Sequence, residues 1–186
     1  LSAAIATFLG SQDMEQRNQA EQFLIAWQNN PQSLDLALET IQTSMSLNEI
    51  FFSGQAVNYI IMNFSEDMNQ EQLTRVFATL HNRYLHSLPP GLDEKCNNII
   101  CKNLACISAL HPEFLDADWN GADINSVLLY FAFLIEFQEE HNKNCPDSFK
   151  EKLYGLRPQL LKFLTESPLS SAWIDVLKFL FISQED

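Results

Sequence analysis

The residues of this chain that could do chemistry are its four cysteines and four histidines. Cys96, Cys101 and Cys106 recur every five residues within one apolar stretch. On a helix with about 3.6 residues per turn, a step of five turns the side chain by about 140°, so these thiols cannot converge on one metal ion. His81 and His86 share this spacing. We therefore interpret both histidines as surface or packing residues.

His141 and Cys145 lie close together in one polar stretch. A zinc site would need further ligands, and a Cys–His nucleophile would need an orienting partner, and the stretch supplies neither. The chain also lacks a Gly-rich phosphate loop and the G-x-S-x-G and H-E-x-x-H patterns. We expect no enzymatic activity, no metal and no cofactor.

The composition indicates what kind of partner the chain could bind. Eleven basic residues against twenty-four acidic ones give a formal net charge of −13. This charge repels nucleic acid and anionic membranes and favours a basic protein surface, although solubility alone is an equally good reason for the acidic residues. Four cysteines without a signal-peptide pattern indicate a reducing compartment. No apolar run reaches the roughly 20 residues of a membrane span.

The spacing of apolar residues predicts helices throughout and no strand. The central helix is predicted at Leu47–Phe64, which is apolar on nearly every side. Gly54 is expected to let a neighbouring helix approach it closely. Further helices are predicted at Ser2–Leu9, Asp13–Gln28, Pro31–Ser44, Asn69–His86, Asp93–Leu110, Asp123–Glu139, Asp147–Thr165 and Ser170–Ile182.

The same spacing predicts which side of each helix is buried. The predicted buried stripes comprise Ala20, Phe23, Leu24 and Trp27 on the second helix and Leu34, Leu38, Ile41 and Met45 on the third. The predicted exposed residues of Asn69–His86 are Gln72, Arg75, Thr79, Asn82 and Arg83. Residues 179–182 are apolar, and a following repeat would be expected to cover them. In this chain we expect them to be exposed or to pair in a dimer.

The helices group into pairs that start near residues 13, 48, 92 and 147. These starts lie about 35 to 55 residues apart and bracket the ~40–47 residues of HEAT-type pairs. The sequence therefore predicts an all-α fold, a right-handed α-solenoid of about four antiparallel HEAT-type pairs, as one array over residues 1–186. A globular helix bundle is the alternative.

Four stretches resemble, in the same order, the N-terminal region of the importin-β (karyopherin) superfamily of nuclear transport receptors. Phe51-Phe52-x-x-Gln55 with Ile61 looks like its FFxxQ…I helix. The other three are Arg17-x-x-Ala20-Glu21-x-x-Leu24, like an R-x-x-A-E-x-x-L helix; Pro31-x-x-Leu34 with Leu38 and Ile41; and Asn103–Leu110 with Pro112 and Trp119. Asn58 stands where the family often has a basic residue.

The resemblance covers about residues 1–140, with 1–64 similar to the family's N-terminal helices and 65–186 expected to be the HEAT repeats that follow. The transportin-SR and importin-thirteen branch is the most similar, and the exportins come next. The resemblance implies the N-terminal part of a longer receptor that shuttles between cytoplasm and nucleus through the nuclear pore. It does not distinguish import from export.

Receptors of this family bind the small GTPase Ran in its GTP form through the second helices of their first pairs. They carry protein cargo and contact nuclear pore proteins through the full-length receptor. Carried onto this chain, the second helices are Pro31–Ser44, Asn69–His86 and Asp123–Glu140. The implied Ran contacts are Asp35, Glu39, Gln42, Arg75, Thr79, Asn82, Glu136 and Glu139. The alternative function is a HEAT-repeat scaffold that binds peptides or helices without Ran.

Overall fold

The computed structural model describes residues 1–86, 94–117, 119, 123–141, 145–166 and 176–180. This part of the chain is all-helical and holds no strand. Its α-helices are α1 (Ser2–Gly10), α2 (Met14–Gln28), α3 (Leu34–Thr43), α4 (Leu47–Phe64), α5 (Gln70–His86), α6 (Glu94–Leu110), α7 (Ile124–His141), α8 (Asp147–Gly155) and α9 (Arg157–Glu166). Residues 176–180 are also helical. None of the helices described is long and apolar enough to span a bilayer.

Local side-chain chemistry explains where the first helices begin. The Asp13 carboxylate accepts a hydrogen bond from the Glu15 amide at 2.9 Å and so caps α2. Ser46 caps α4 by accepting from the Glu49 amide at 3.4 Å. Hydrogen bonds from Ser2 and Ser44 lower the pKa of the Glu49 carboxyl. α4 begins at Leu47 and ends at Phe64, as the sequence predicts.

The helix predicted at Asp147–Thr165 is wrong in one respect, because the structure has two helices there. α8 ends at Gly155, where the Leu156 amide donates to the carbonyls of Lys152 and Leu153. Pro158 is the second residue of α9 and has no amide hydrogen to donate. The i to i−4 ladder therefore cannot run unbroken through this point.

The chain divides into two compact units, Leu1–Asn103 and Leu104–Asp186. In the first unit, α1 packs on α2, α4 contacts α1, α2 and α3, and α3 contacts α5. α3 and α5 run parallel, because their contacts advance together along both helices. Asp35 pairs with Arg75, 40 residues later, and Ser44 contacts Arg83, 39 residues later.

α4 and α6 also run parallel within the first unit. The Cys96 thiol donates to the Leu47 carbonyl, and Asn103, about two turns further along α6, donates to the Gly54 carbonyl at 2.8 Å, about two turns further along α4. A Cβ atom on Gly54 would lie 2.7 Å from the Ile99 side chain. The prediction that Gly54 permits a close helix approach is confirmed. The neighbour is α6.

Burial follows the predicted stripes with five corrections. Trp27, predicted to be buried, and Thr79, predicted to be exposed, are both half-buried. Ala20, Leu24, Leu34, Leu38 and Ile41 are buried as predicted. Phe23 is 51% exposed, because the buried stripe of α2 is narrower than predicted and does not reach it. Met45 is 68% exposed and lies past the end of α3, so it no longer shares the helix stripe. Arg83, predicted to be exposed, is buried.

The core of the second unit is rich in aromatic rings. Tyr130 of α7 and Phe149 of α8 are almost wholly buried. The Phe179 ring stacks on Tyr154 with centroids 5.4 Å apart, and the Arg157 guanidinium lies over both rings. Phe179 and Leu180 are therefore buried within their own unit, and the expectation that they are exposed is wrong. Residues 181 and 182 lie outside the described residues.

Candidate protein-binding groove

A groove of about 530 Å³ lies between the parallel helices α3 and α5. Its lining residues are Gln32, Asp35, Leu36, Leu38, Glu39, Gln42, Arg75 and Thr79. Five of the eight predicted contact residues are in this set. Sequence spacing accounts for the grouping within each helix, because residues 35, 39 and 42 share one face of α3, and residues 75 and 79 share one face of α5. The packing of α3 beside α5 brings the two groups together.

One ion pair crosses the groove. Arg75 Nη1 donates to Asp35 Oδ1 at 2.7 Å, and 56% and 78% of the two side chains remain exposed to solvent. An exposed pair of this kind stabilises a fold by about 0–1 kcal/mol, because water screens the charges and two long side chains must be ordered. The pair therefore shapes the groove more than it stabilises the fold.

The remainder of the lining is partly polar and partly aliphatic. Leu38 is buried at the base, and Leu36 is 47% exposed. Glu39 lies one turn beyond Asp35 and supplies a second carboxylate, and Gln42 and Thr79 add an amide and a hydroxyl. A side chain with an apolar stem and a cationic head would match this lining.

Arg83 is a buried residue that the sequence reasoning placed on the surface. Its Nη2 donates to the Ser44 carbonyl at 2.8 Å, and its Nη1 donates to the Gln42 carbonyl at 3.5 Å. These carbonyls belong to the C-terminal end of α3, where a cation is favourable. Burial lowers the pKa of Arg83 from its ordinary value. The side chain holds the end of α3 against α5 and so positions one end of the groove.

The three remaining predicted residues lie elsewhere. Asn82 is exposed on α5, one turn beyond Thr79, and does not line the groove. Glu136 and Glu139 are exposed on α7, in the second unit. The first unit therefore forms the groove from five of its six predicted residues, and the second unit presents the other two on one helix.

Three lining residues, Gln32, Leu36 and Leu38, are not among the predicted contacts, and Leu36 is the exposed apolar one. It lies three residues before Glu39 and one after Asp35, on the face otherwise assigned to polar residues. An exposed leucine among Gln32, Asp35 and Glu39 is the signal that could have identified it. The missing information was the position of α5, which makes this leucine part of a groove.

The thiols and carboxylates of the described residues form no cluster of three or more metal-ligating groups. None of the four cysteines forms a disulfide, and all four are buried. Burial raises the pKa of Cys101 to about 12, with a hydrogen bond to Tyr84 acting in the opposite direction, and burial also raises the pKa of Cys145. Such thiols stay protonated at neutral pH, which favours a packing role.

The chain was compared with protein-family models, with curated proteins and with solved structures, and none of them matches it.

Proposed function

We propose that this chain is the N-terminal, Ran-GTP-binding portion of a nuclear transport receptor of the importin-β superfamily. The observation that carries the proposal is the register between alternate helices. α3 and α5 contact each other at offsets of 39 to 41 residues, and α4 and α6 contact each other through hydrogen bonds at 45 and 49. These offsets bracket the repeat of about 40–47 residues that is expected of HEAT-type pairs.

In this proposal, α2 with α3 and α4 with α5 are successive antiparallel HEAT-type pairs of a right-handed solenoid. Contacts of α2 with α4 and of α3 with α5 support it, because stacked pairs bring equivalent helices side by side. The second helices, α3 and α5, then form one continuous surface, and the groove lies on it.

The groove supplies acidic contacts for Ran in its GTP form. Asp35 and Glu39 complement a basic GTPase surface, and the net charge of −13 attracts such a partner over longer distances. Charges of this kind speed the encounter more than they raise the final affinity. Gln42, Thr79 and Asn82 extend the contact as hydrogen-bonding groups, and Glu136 and Glu139 add a second acidic contact.

Protein cargo and nuclear pore proteins bind through the full-length receptor, which moves between cytoplasm and nucleus. No nucleic acid or membrane takes part, and the chain needs no cofactor and performs no catalysis. The acidic surface agrees with this assignment, since it repels phosphate.

Calorimetric titration with Ran locked in its GTP and GDP states tests the proposal. We expect binding to the GTP form alone, weakened at higher salt. Glu39→Gln should weaken binding by about threefold or more, whereas Glu21→Gln, which removes the same charge from an exposed position on α2, should change it far less.

Equal affinity for the two nucleotide states, or no binding to either, would contradict the proposal. Binding of basic or amphipathic peptides without any effect of Ran would assign the chain to the alternative class, a scaffold of HEAT-type pairs.

A further inference from the structure

Arg75 has an unusual position for a cation on this acidic chain. It lies inside the groove that its own helix forms with α3, and it pairs with Asp35 rather than pointing away from the protein. Both partners remain more than half exposed, so burial does not force them together. The Arg75 head therefore occupies a site that a cation from outside could also reach.

The surroundings of that site suit a lysine side chain. Leu36, which is 47% exposed, supplies apolar surface for a methylene stem, and Asp35 and Glu39 stand one helical turn apart as two carboxylates for an ammonium head. Arg75 neutralises only one of these carboxylates. A volume of about 530 Å³ falls within the range of roughly 300–1,000 Å³ that is usual for ligand pockets.

We propose that the α3–α5 groove receives a lysine side chain of a basic protein partner, and that Arg75 is an internal competitor for that lysine. The partner's lysine takes over Asp35 and also contacts Glu39, and Arg75 swings out into solvent. This deepens the proposed function, on which it rests for the identity of the partner. Arg75 thereby sets how strongly the groove discriminates between partners.

The exposed Asp35–Arg75 pair is weak, so a lysine can displace it. The competition still lowers affinity, because the incoming cation must first break an existing pair. Removing the competitor should tighten binding of a lysine probe by about two- to fivefold, the range that corresponds to an exposed ion pair.

The test uses a hexalysine peptide as the probe and the full 186-residue chain, with binding followed by NMR chemical shifts. Arg75→Gln should tighten binding by about two- to fivefold. Arg17→Gln is the matched control, since it removes the same charge from an exposed position on α2 and so reproduces the long-range effect alone. Adding Asp35→Asn to Arg75→Gln should abolish the gain, and shifts should concentrate on α3 and α5.

Ran in its GTP form is titrated in parallel with the same variants. If Ran does not bind while hexalysine gains affinity from Arg75→Gln, the lysine site stands and the assignment to Ran fails. If Ran binds but Arg75→Gln has no greater effect than Arg17→Gln on either ligand, the function stands and the competition by Arg75 is refuted. Hexalysine shifts that avoid α3 and α5 would also refute the site.

Discussion

Asn103 shows at the residue scale how one side chain joins two helices. It is completely buried on α6, its amide nitrogen donates to the Gly54 carbonyl at 2.8 Å, and its amide oxygen accepts from Asn58 at 2.9 Å. The Gly54 carbonyl lies inside α4, so this bond is additional to the helix ladder. A buried amide is favourable only when its hydrogen bonds are made, and here the nitrogen and the oxygen of the Asn103 amide each have a partner.

Asn103→Ala should lower the free energy of unfolding by about 2–4 kcal/mol, because it removes both bonds and leaves a cavity between α4 and α6. Urea denaturation followed by circular dichroism measures the change. Asn18→Ala, at an exposed position of α2, is the control and should stay within about 0.5 kcal/mol of the original chain. Similar losses in the two variants would mean that the Asn103 bonds contribute nothing specific.

At the element scale, the approach of α4 to α6 depends on the absence of a side chain at residue 54. A methyl group there would lie 2.7 Å and 3.0 Å from the two γ carbons of Ile99. Ile99 is buried and β-branched, so it has little freedom to rotate away. The helices would have to move apart, and the Asn103 bonds would lengthen with them.

Gly54→Ala should therefore destabilise the protein by about 1–3 kcal/mol, although alanine is intrinsically the better helix former by roughly 1 kcal/mol. Gly10→Ala is the matched control, since nothing lies within 4 Å of a Cβ atom there, and it should be neutral or stabilising. Thermal unfolding measures both. Ile99→Ala should restore part of the loss when combined with Gly54→Ala, and strict additivity of the two losses would rule out the clash.

The stability of the whole molecule should depend on pH in the alkaline range through Cys101. The folded protein holds this thiol proton up to a pKa of about 12, against an ordinary value of 9.0. The unfolded chain therefore loses the proton first as pH rises. The contribution of this thiol to the free energy of unfolding is fully present below pH 9. It is lost progressively between pH 9 and about 12.

Urea unfolding measured across this pH range should show the free energy of unfolding falling by up to about 1.4 kcal/mol per pH unit because of the Cys101 thiol. Cys101→Ala should lack this component and differ from the original chain by a constant amount below pH 9. If the two stability profiles stay parallel from pH 8 to 12, burial does not hold the proton on Cys101.

The all-helical fold and the position of most helices could be predicted from the chain alone, because the causes are local. Asp13 and Ser46 cap the helices that follow them, and the apolar spacing of Leu47–Phe64 defines one helix end to end. The same apolar spacing also predicts that Arg75 and Asn82 lie on a solvent face, and both are exposed. The division between α8 and α9 also has a local cause, Pro158, and could have been predicted from the sequence.

Tertiary structure alone decided which of those faces meet. Arg83 is charged and lies on the polar side of its helix pattern, yet the carbonyls at the end of α3 bury it. Asp35 and Arg75 come together because α3 and α5 lie side by side in parallel, 40 residues apart in the chain. Periodicity describes one helix in relation to solvent. It carries no information on which neighbour supplies the missing contacts, and that choice depends on packing across the whole unit.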